Sequence, residues 1–107
     1  LRAMEIKASK KEWEILSAAI AIWGKDAQAK MLLGEMAELQ KEVCKAWRGK
    51  DNSVEIAEEV ADVEVMLAQI KMIFGIDASV GIYRDAKIER LRQRLIIAGW
   101  KENHQNG

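Results

Sequence analysis

Glu35-Met-Ala-Glu38 and Glu59-Val-Ala-Asp62 are the two stretches that set the expected fold and chemistry of this chain. Each stretch places two carboxylates three residues apart, and residues with this spacing project from the same side of an α-helix. The spacing alone is weak evidence, because 17 of the 107 residues are acidic and Glu55 and Glu58 form a third such pair. The position of the carboxylates among the apolar residues is more informative.

Both acidic pairs interrupt the apolar side of a predicted helix. At about 100° per residue, Glu35 and Glu59 fall within the apolar arcs of their segments, and Glu38 and Asp62 lie at the edges. The arcs comprise Met31, Leu32, Leu39, Val43 and Ala46 in one segment and Ile56, Val60, Val63, Met66, Leu67 and Ile70 in the next. A carboxylate that faces a core without a partner becomes protonated or destabilises the fold. Several converging carboxylates therefore indicate a bound cation.

The size and charge of the chain limit its function class. A chain of 107 residues is expected to form a single domain over residues 1–107 and to bury roughly two thirds of its unfolded surface. Seventeen basic residues balance seventeen acidic ones, which argues against a nucleic-acid polymer as partner. The single cysteine, Cys44, excludes a disulfide framework and a cysteine-based metal site. No apolar run approaches the ~18 residues of a membrane span, so we expect a cytoplasmic protein without a membrane partner.

Apolar periodicity and the glycine positions predict four helices and no strand. The helices are expected from about Lys10 to Trp23, from Asp26 to Trp47 or Arg48, from Asn52 or Ser53 to Ile73 or Phe74, and from Asp77 to about Leu95. Ser9, Asp26 and Asp77 are candidate N-caps, and Gly81 is a candidate irregularity in the last helix. A polar tail follows from about Gly99. Short connections between such helices predict an all-α four-helix bundle.

The first helix indicates self-association. From Leu16 to Trp23 every residue except Ser17 is apolar. A helix that is apolar on all sides must be covered on all sides, and three neighbouring helices cover only part of it. We therefore expect a subunit interface, most simply in a homodimer or a dimer of dimers. The alternative is that the fourth helix and the tail cover this surface.

The segment Gly34-Glu-Met-Ala-Glu-Leu39, followed by Glu58-Glu-Val-Ala-Asp-Val63, resembles the MazG-like all-α nucleoside triphosphate pyrophosphatases. This group includes dimeric dUTPases and dCTP pyrophosphatases, and the resemblance spans roughly residues 27–95. It implies an ExxE and an ExxD motif on successive helices, with Mg²⁺, or Mn²⁺ as a substitute, bound by Glu35, Glu38, Glu59 and Asp62. It also implies hydrolysis of a (deoxy)nucleoside triphosphate to its monophosphate and pyrophosphate, as in house-cleaning of non-canonical or excess dNTPs.

The chemistry of the residues is compatible with this implication. Mg²⁺ prefers oxygen ligands and usually keeps several waters, so four carboxylates leave room for more than one ion. One carboxylate, for which Glu38 is our choice, could instead orient or deprotonate the attacking water. Metals lower the pKa of bound water, so no histidine is required, and His104 in the polar tail is not expected to be catalytic.

Four further residues are weaker candidates for substrate binding. Gln28 precedes Glu35 by two turns on the same side of the helix and could contact a base edge, although an ordinary first-turn amide is the simpler explanation. Lys87 and Arg94 could neutralise phosphates, by resemblance to the basic last helix of the family, or could belong to a solvated charged face. Trp47 could stack on a base, although packing is the better explanation.

Two functions from different classes fit these observations. The first is a Mg²⁺-dependent nucleotide pyrophosphohydrolase. The alternative is a catalytically silent, dimeric helical interaction module whose acidic cluster only stabilises the fold through a metal. The presence of all four carboxylates favours the enzyme, since a degenerate module is expected to have lost at least one of them.

Overall fold

The computed structural model of the protein describes the backbone of residues 2–103 and the side chains of residues 10–103. Within this part of the chain all regular structure is helical, which confirms the predicted all-α class. The helices are α1 (Arg2–Trp23), α2 (Lys25–Trp47), α3 (Ser53–Phe74) and α4 (Asp77–Ile97). His104, which sequence reasoning set aside, lies outside the described residues. Helices α1 to α3 belong to one compact unit, and α4 belongs to a second.

In the first unit α2 and α3 form a closely packed pair, and α1 contacts both. A short connection, residues 48–52, joins α2 to α3. The buried side chain of Asn52 bridges this connection. Its Nδ2 donates hydrogen bonds to the backbone oxygen of Glu42 at 2.9 Å and to the Glu42 Oε2 at 2.6 Å. The start of α3 is thereby held beside the last turns of α2, so the two helices run antiparallel.

The structure corrects several predicted helix ends. Helix α1 begins at Arg2, so Ser9 lies inside the helix and is not its N-cap. No proline or glycine interrupts residues 2–23, and most of the added residues are strong helix formers. Asp26 lies in the first turn of α2, after an N-cap at Gly24. Helix α4 continues through Gly81 without a break and ends at Ile97 rather than near Leu95.

Glycines with positive φ follow the ends of α1 and α3. Gly24, between α1 and α2, has φ 93°, and Gly75, at the end of α3, has φ 62° and ψ 38°. The latter values are the left-handed conformation that commonly ends a helix and that residues with a Cβ adopt at a cost. These two glycines therefore fix where the chain leaves one helix and enters the next.

The interior is unusually polar. Met66 is the only apolar side chain among residues 10–103 that is buried, whereas four polar side chains are buried: Gln28, Glu42, Asn52 and Gln69. Large apolar residues are exposed on every helix, and all four tryptophans, including Trp100 after the end of α4, are exposed. A single copy of the chain therefore leaves much of its apolar surface in contact with solvent. No helix in the described part of the chain combines the length and the hydropathy that crossing a lipid bilayer requires.

The second unit contains α4 and the residues after it. Arg92 donates hydrogen bonds to Glu89, one turn earlier on the helix, and its Nη1 donates to Glu102 at 2.9 Å. The contact with Glu102 ties residues beyond the helix end back onto α4. The hydrogen bond from Arg92 also lowers the pKa of Glu89 below its usual range.

Candidate metal centre

Three carboxylates from two helices meet near the middle of the α2–α3 pair. One oxygen each from Glu35 of α2 and from Glu59 and Asp62 of α3 lie within 4.8 Å of one another. Glu35 and Glu59 are half-buried, whereas Asp62 is exposed. The antiparallel arrangement produces this meeting, because it brings Glu35, near the middle of α2, beside the second and third turns of α3. Two motifs that are twenty residues apart in the sequence thus form one acidic group.

The environment of Glu59 is unfavourable to its negative charge. Its Oε2 is buried and has no hydrogen-bond partner among the described residues. Burial is the largest cause that raises the pKa of Glu59, followed by the charges of Glu35 and Asp62. A cation at this position would remove the repulsion between the carboxylates and would supply the missing partner for the buried oxygen.

Glu38 lies beside this group rather than within it. Its carboxylate is exposed and is 3.9 Å from the ammonium group of Lys41, one turn further along α2. Its charge nevertheless contributes to the raised pKa of Glu59, after the contributions of burial, Glu35 and Asp62. Three of the four predicted ligands are therefore brought together. The fourth is close enough to act on them electrostatically.

The donor atoms of the group favour a hard cation. All three are carboxylate oxygens, the ligand type that Mg²⁺ and Mn²⁺ prefer, and no histidine or cysteine belongs to the group. Cys44 is exposed and stands outside it. Because Asp62 is exposed, one side of the group is open to solvent, which leaves coordination positions for water or for the oxygens of a ligand.

The other predicted site residues are spread over the chain. Gln28 is buried in the first turn of α2, and Trp47 is exposed at the far end of the same helix. These two positions are 19 residues apart, or about 28 Å at the usual helical rise. They cannot both contact one base within a single chain. Lys87 and Arg94 are exposed on α4, in the second unit, and their role in phosphate binding stays a prediction.

Sequence reasoning missed one buried polar residue near this site, Gln69. It lies on α3 seven residues after Asp62, which is two helical turns along the same side. The same spacing separates Gln28 from Glu35 on α2. This repeated interval is the sequence signal that could have identified Gln69.

Comparison of the chain with protein-family models, with curated proteins and with solved structures finds no match. The resemblance to the MazG-like pyrophosphatases thus stays an expectation based on the two acidic motifs. The geometry of the carboxylates is the stronger ground on which to infer a function.

Proposed function

We propose that this protein is a Mg²⁺-dependent nucleoside triphosphate pyrophosphatase. The observation that carries the proposal is the meeting of one oxygen each from Glu35, Glu59 and Asp62 within 4.8 Å of one another. The buried Oε2 of Glu59, which has no partner among the described residues, adds support. Without a metal, the carboxylates of such a group repel one another, whereas a hard cation bound between them is stabilising. Phosphate oxygens are the ligands that commonly complete a site of this kind.

The proposed reaction converts a (deoxy)nucleoside triphosphate and water into a monophosphate and pyrophosphate. Water attacks the α-phosphorus, and the bond from this atom to the bridging oxygen breaks, so that pyrophosphate leaves with that oxygen. Glu35, Glu59 and Asp62 would hold the cation, and a bound cation would supply charge that offsets the phosphate oxygens and favours deprotonation of water. Glu38, whose carboxylate is exposed beside the group, is the residue that we propose to orient the water and accept its proton. The roles of Lys87 and Arg94 in phosphate binding rest on the resemblance of their helix to the basic last helix of the family alone.

The test compares conservative variants of the acidic group with a matched variant outside it. Glu35→Gln, Glu59→Gln and Asp62→Asn should each abolish pyrophosphate release at saturating Mg²⁺. Glu64→Gln, an exposed glutamate on α3, should leave it unchanged. Without metal, Glu59→Gln should melt at the same or a higher temperature than the wild type, because the substitution removes repulsion between carboxylates.

Hydrolysis in oxygen-18 water identifies the bond that breaks. Label in the nucleoside monophosphate is expected, because the water oxygen becomes bonded to the α-phosphorus. Release of orthophosphate together with a nucleoside diphosphate would contradict the proposal. Near-normal turnover in any one of the three acidic-group variants would remove that residue from the set of ligands.

The same experiments separate the enzyme from the silent interaction module. Exposed apolar residues on α1, including Trp13, Ile22 and Trp23, favour self-association in both cases. A module without catalysis would bind Mg²⁺ and release no pyrophosphate from any of the common nucleotides. A homodimer or a dimer of dimers that turns over triphosphates is the outcome that we expect.

A further inference from the structure

Two glutamine side chains, Gln28 of α2 and Gln69 of α3, are buried, and the described residues offer them no strong hydrogen-bond partner. Their exposed fractions are 2% and 4%, lower than that of Met66. Oε1 of Gln69 accepts no hydrogen bond from the described residues. Nε2 of Gln28 donates to the sulfur of Met31 at 3.8 Å, and a thioether is a weak acceptor. Burial of an amide without a good partner destabilises a protein, so each of these groups requires an explanation.

The two amides lie at corresponding positions relative to the acidic group. Gln28 precedes Glu35 by seven residues, and Gln69 follows Asp62 by seven residues. Seven residues make nearly two full turns and about 10 Å of rise, so each glutamine lies on the same side of its helix as the carboxylate. Because α2 and α3 are antiparallel, both steps lead toward the same end of the helix pair. Both amides therefore lie about 10 Å from the carboxylates, in the same direction along the helix pair.

This displacement resembles the distance between the α-phosphate of a nucleotide and the far edge of its base. We propose that Gln28 and Gln69 hydrogen-bond the edge of the base when the phosphates lie at the acidic group. The inference rests on the proposed function and assigns the specificity for a nucleobase to these two amides. Oε1 of Gln69 accepts from a ring N–H or an exocyclic amine, and Nε2 of Gln28 donates to a carbonyl or ring nitrogen. The ligand class is thus a nucleotide rather than a polyphosphate without a base.

Access to Gln28 involves Met31. The Met31 side chain is about half exposed, and its thioether receives the Gln28 amide. A methionine side chain is unbranched and adapts readily to a new packing arrangement. It can therefore turn away toward solvent when a base arrives with a better acceptor.

The proposal predicts opposite effects on stability and on binding. Gln69→Leu replaces a buried amide whose oxygen has no partner among the described residues with an apolar group of similar size, so the free protein should be as stable as the wild type or more stable. The same change should weaken binding of a nucleotide, because the base then loses an acceptor. A glutamine that only supports the fold would show the reverse pattern.

The experiment measures affinity in the presence of Mg²⁺ with two kinds of probe. The first is the set of α,β-imido triphosphates of the common nucleosides, which cannot be hydrolysed at the α-phosphorus. The second is inorganic tripolyphosphate, which has no base. Gln69→Leu and Gln28→Leu should weaken binding of the tightest nucleoside analogue by roughly tenfold or more and leave tripolyphosphate binding unchanged. Gln40→Leu, an exposed glutamine on α2, is the matched control and should change neither affinity.

Nuclear magnetic resonance of the wild type supplies a measurement that does not depend on a variant folding. The side-chain amide resonances of Gln28 and Gln69 should shift on addition of the tightest nucleoside analogue with Mg²⁺ and stay unchanged with tripolyphosphate. Equal shifts with both probes would overturn the proposal, as would equal loss of affinity for both in the leucine variants. A lower melting temperature with unchanged affinity would assign the glutamines to the fold. A wild type that binds tripolyphosphate as tightly as any nucleoside analogue would overturn this inference alone, whereas one that binds neither probe would overturn the proposed function as well.

Discussion

The side chain of Asn52 both holds the connection between α2 and α3 and stabilises the charged form of Glu42. It is buried, and its amide donates two hydrogen bonds to Glu42, which is ten residues earlier in the chain. The hydrogen bond from Asn52 is the largest cause that lowers the pKa of Glu42. Burial acts in the opposite direction, and Lys45 adds a further lowering. The charged form of Glu42 is therefore the form that the folded protein favours.

This pKa gives stability a defined pH dependence. Because the pKa of Glu42 is lowered in the folded state, its contribution is present above the ordinary glutamate value of 4.5 and is lost as the pH falls below it. Asn52→Ala should lower the free energy of unfolding by about 1–3 kcal/mol at pH 7, since two buried hydrogen bonds are lost, and by less at pH 3. Urea unfolding at the two pH values measures both effects, with Ser53→Ala as an exposed control. A loss of equal size at both pH values would show that Asn52 does not act through the charge of Glu42.

At the scale of the helices, two glycines illustrate opposite roles. Gly34 lies inside α2 directly before Glu35, and a Cβ added there meets nothing within 4 Å. Gly75 ends α3 in the left-handed conformation, again with open space around the position of a Cβ. The difference between them is therefore one of backbone conformation and not of packing.

The same substitution at these glycines should change stability in opposite directions. Gly34→Ala should raise the free energy of unfolding by about 1 kcal/mol, because alanine favours the helix. Gly75→Ala should lower it by about 1 kcal/mol, because the left-handed conformation strains a residue with a Cβ. Chemical unfolding of both variants under one condition makes the comparison direct. If Gly34→Ala is instead destabilising, a group outside the described side chains approaches α2 at this point.

The helix ends show what a sequence can and cannot predict. Gly24 and Gly75 fixed the predicted ends of α1 and α3 correctly, because glycine is the residue that takes positive φ without strain. Ser9 and Gly81 misled the prediction, because a serine or a glycine within a run of good helix formers is tolerated at a small cost. Asn52 is the N-cap of α3, as the sequence allowed, but its side chain donates to Glu42 and not to the first turn of the helix. That contact depends on the packing of α2 against α3.

The acidic group was predictable from helical periodicity. Glu35, Glu59 and Asp62 stand at positions where helical periodicity places them among apolar residues, so their convergence followed from the pattern once two helices packed together. Glu38 lies near Lys41 at the surface, where a local ion pair competes with a shared site. Gln69 was missed because a glutamine is uncharged and does not by itself indicate a metal or catalytic site. Its burial depends on how the helices pack, which the sequence does not give.

At the scale of the whole molecule, the exposed apolar surface is the dominant feature. Met66 is the only buried apolar side chain among residues 10–103, which is a small core for a chain of this length. On α1, Ile22 has an exposed fraction of 75%, and Trp23 beside it is also exposed. Exposed apolar surface of this extent is typical of chains that assemble. The first helix is thus the element on which we expect subunits to meet.

A single charge on α1 should prevent this assembly. Ile22→Glu places a carboxylate at the proposed interface, where burial without a partner is strongly unfavourable. Because Ile22 is exposed in the single chain, the substitution should give monomers, or chains that unfold once they separate. Lys10→Glu, which changes the charge at another exposed position of α1, should leave the association state unaltered. Analytical ultracentrifugation distinguishes these outcomes, and a wild type that sediments as a monomer at micromolar concentration would contradict the prediction.

The exposure of the tryptophans means that the protein carries its own optical probes. Indole fluorescence moves to shorter wavelength when the ring leaves water, and Trp13, Trp23, Trp47 and Trp100 are all exposed in the single chain. Trp13 and Trp23 belong to α1, so their emission reports directly on whether that helix is covered. Dilution of the protein would then shift its tryptophan emission to longer wavelength as the subunits dissociate. Intrinsic fluorescence would thus measure assembly without an added label.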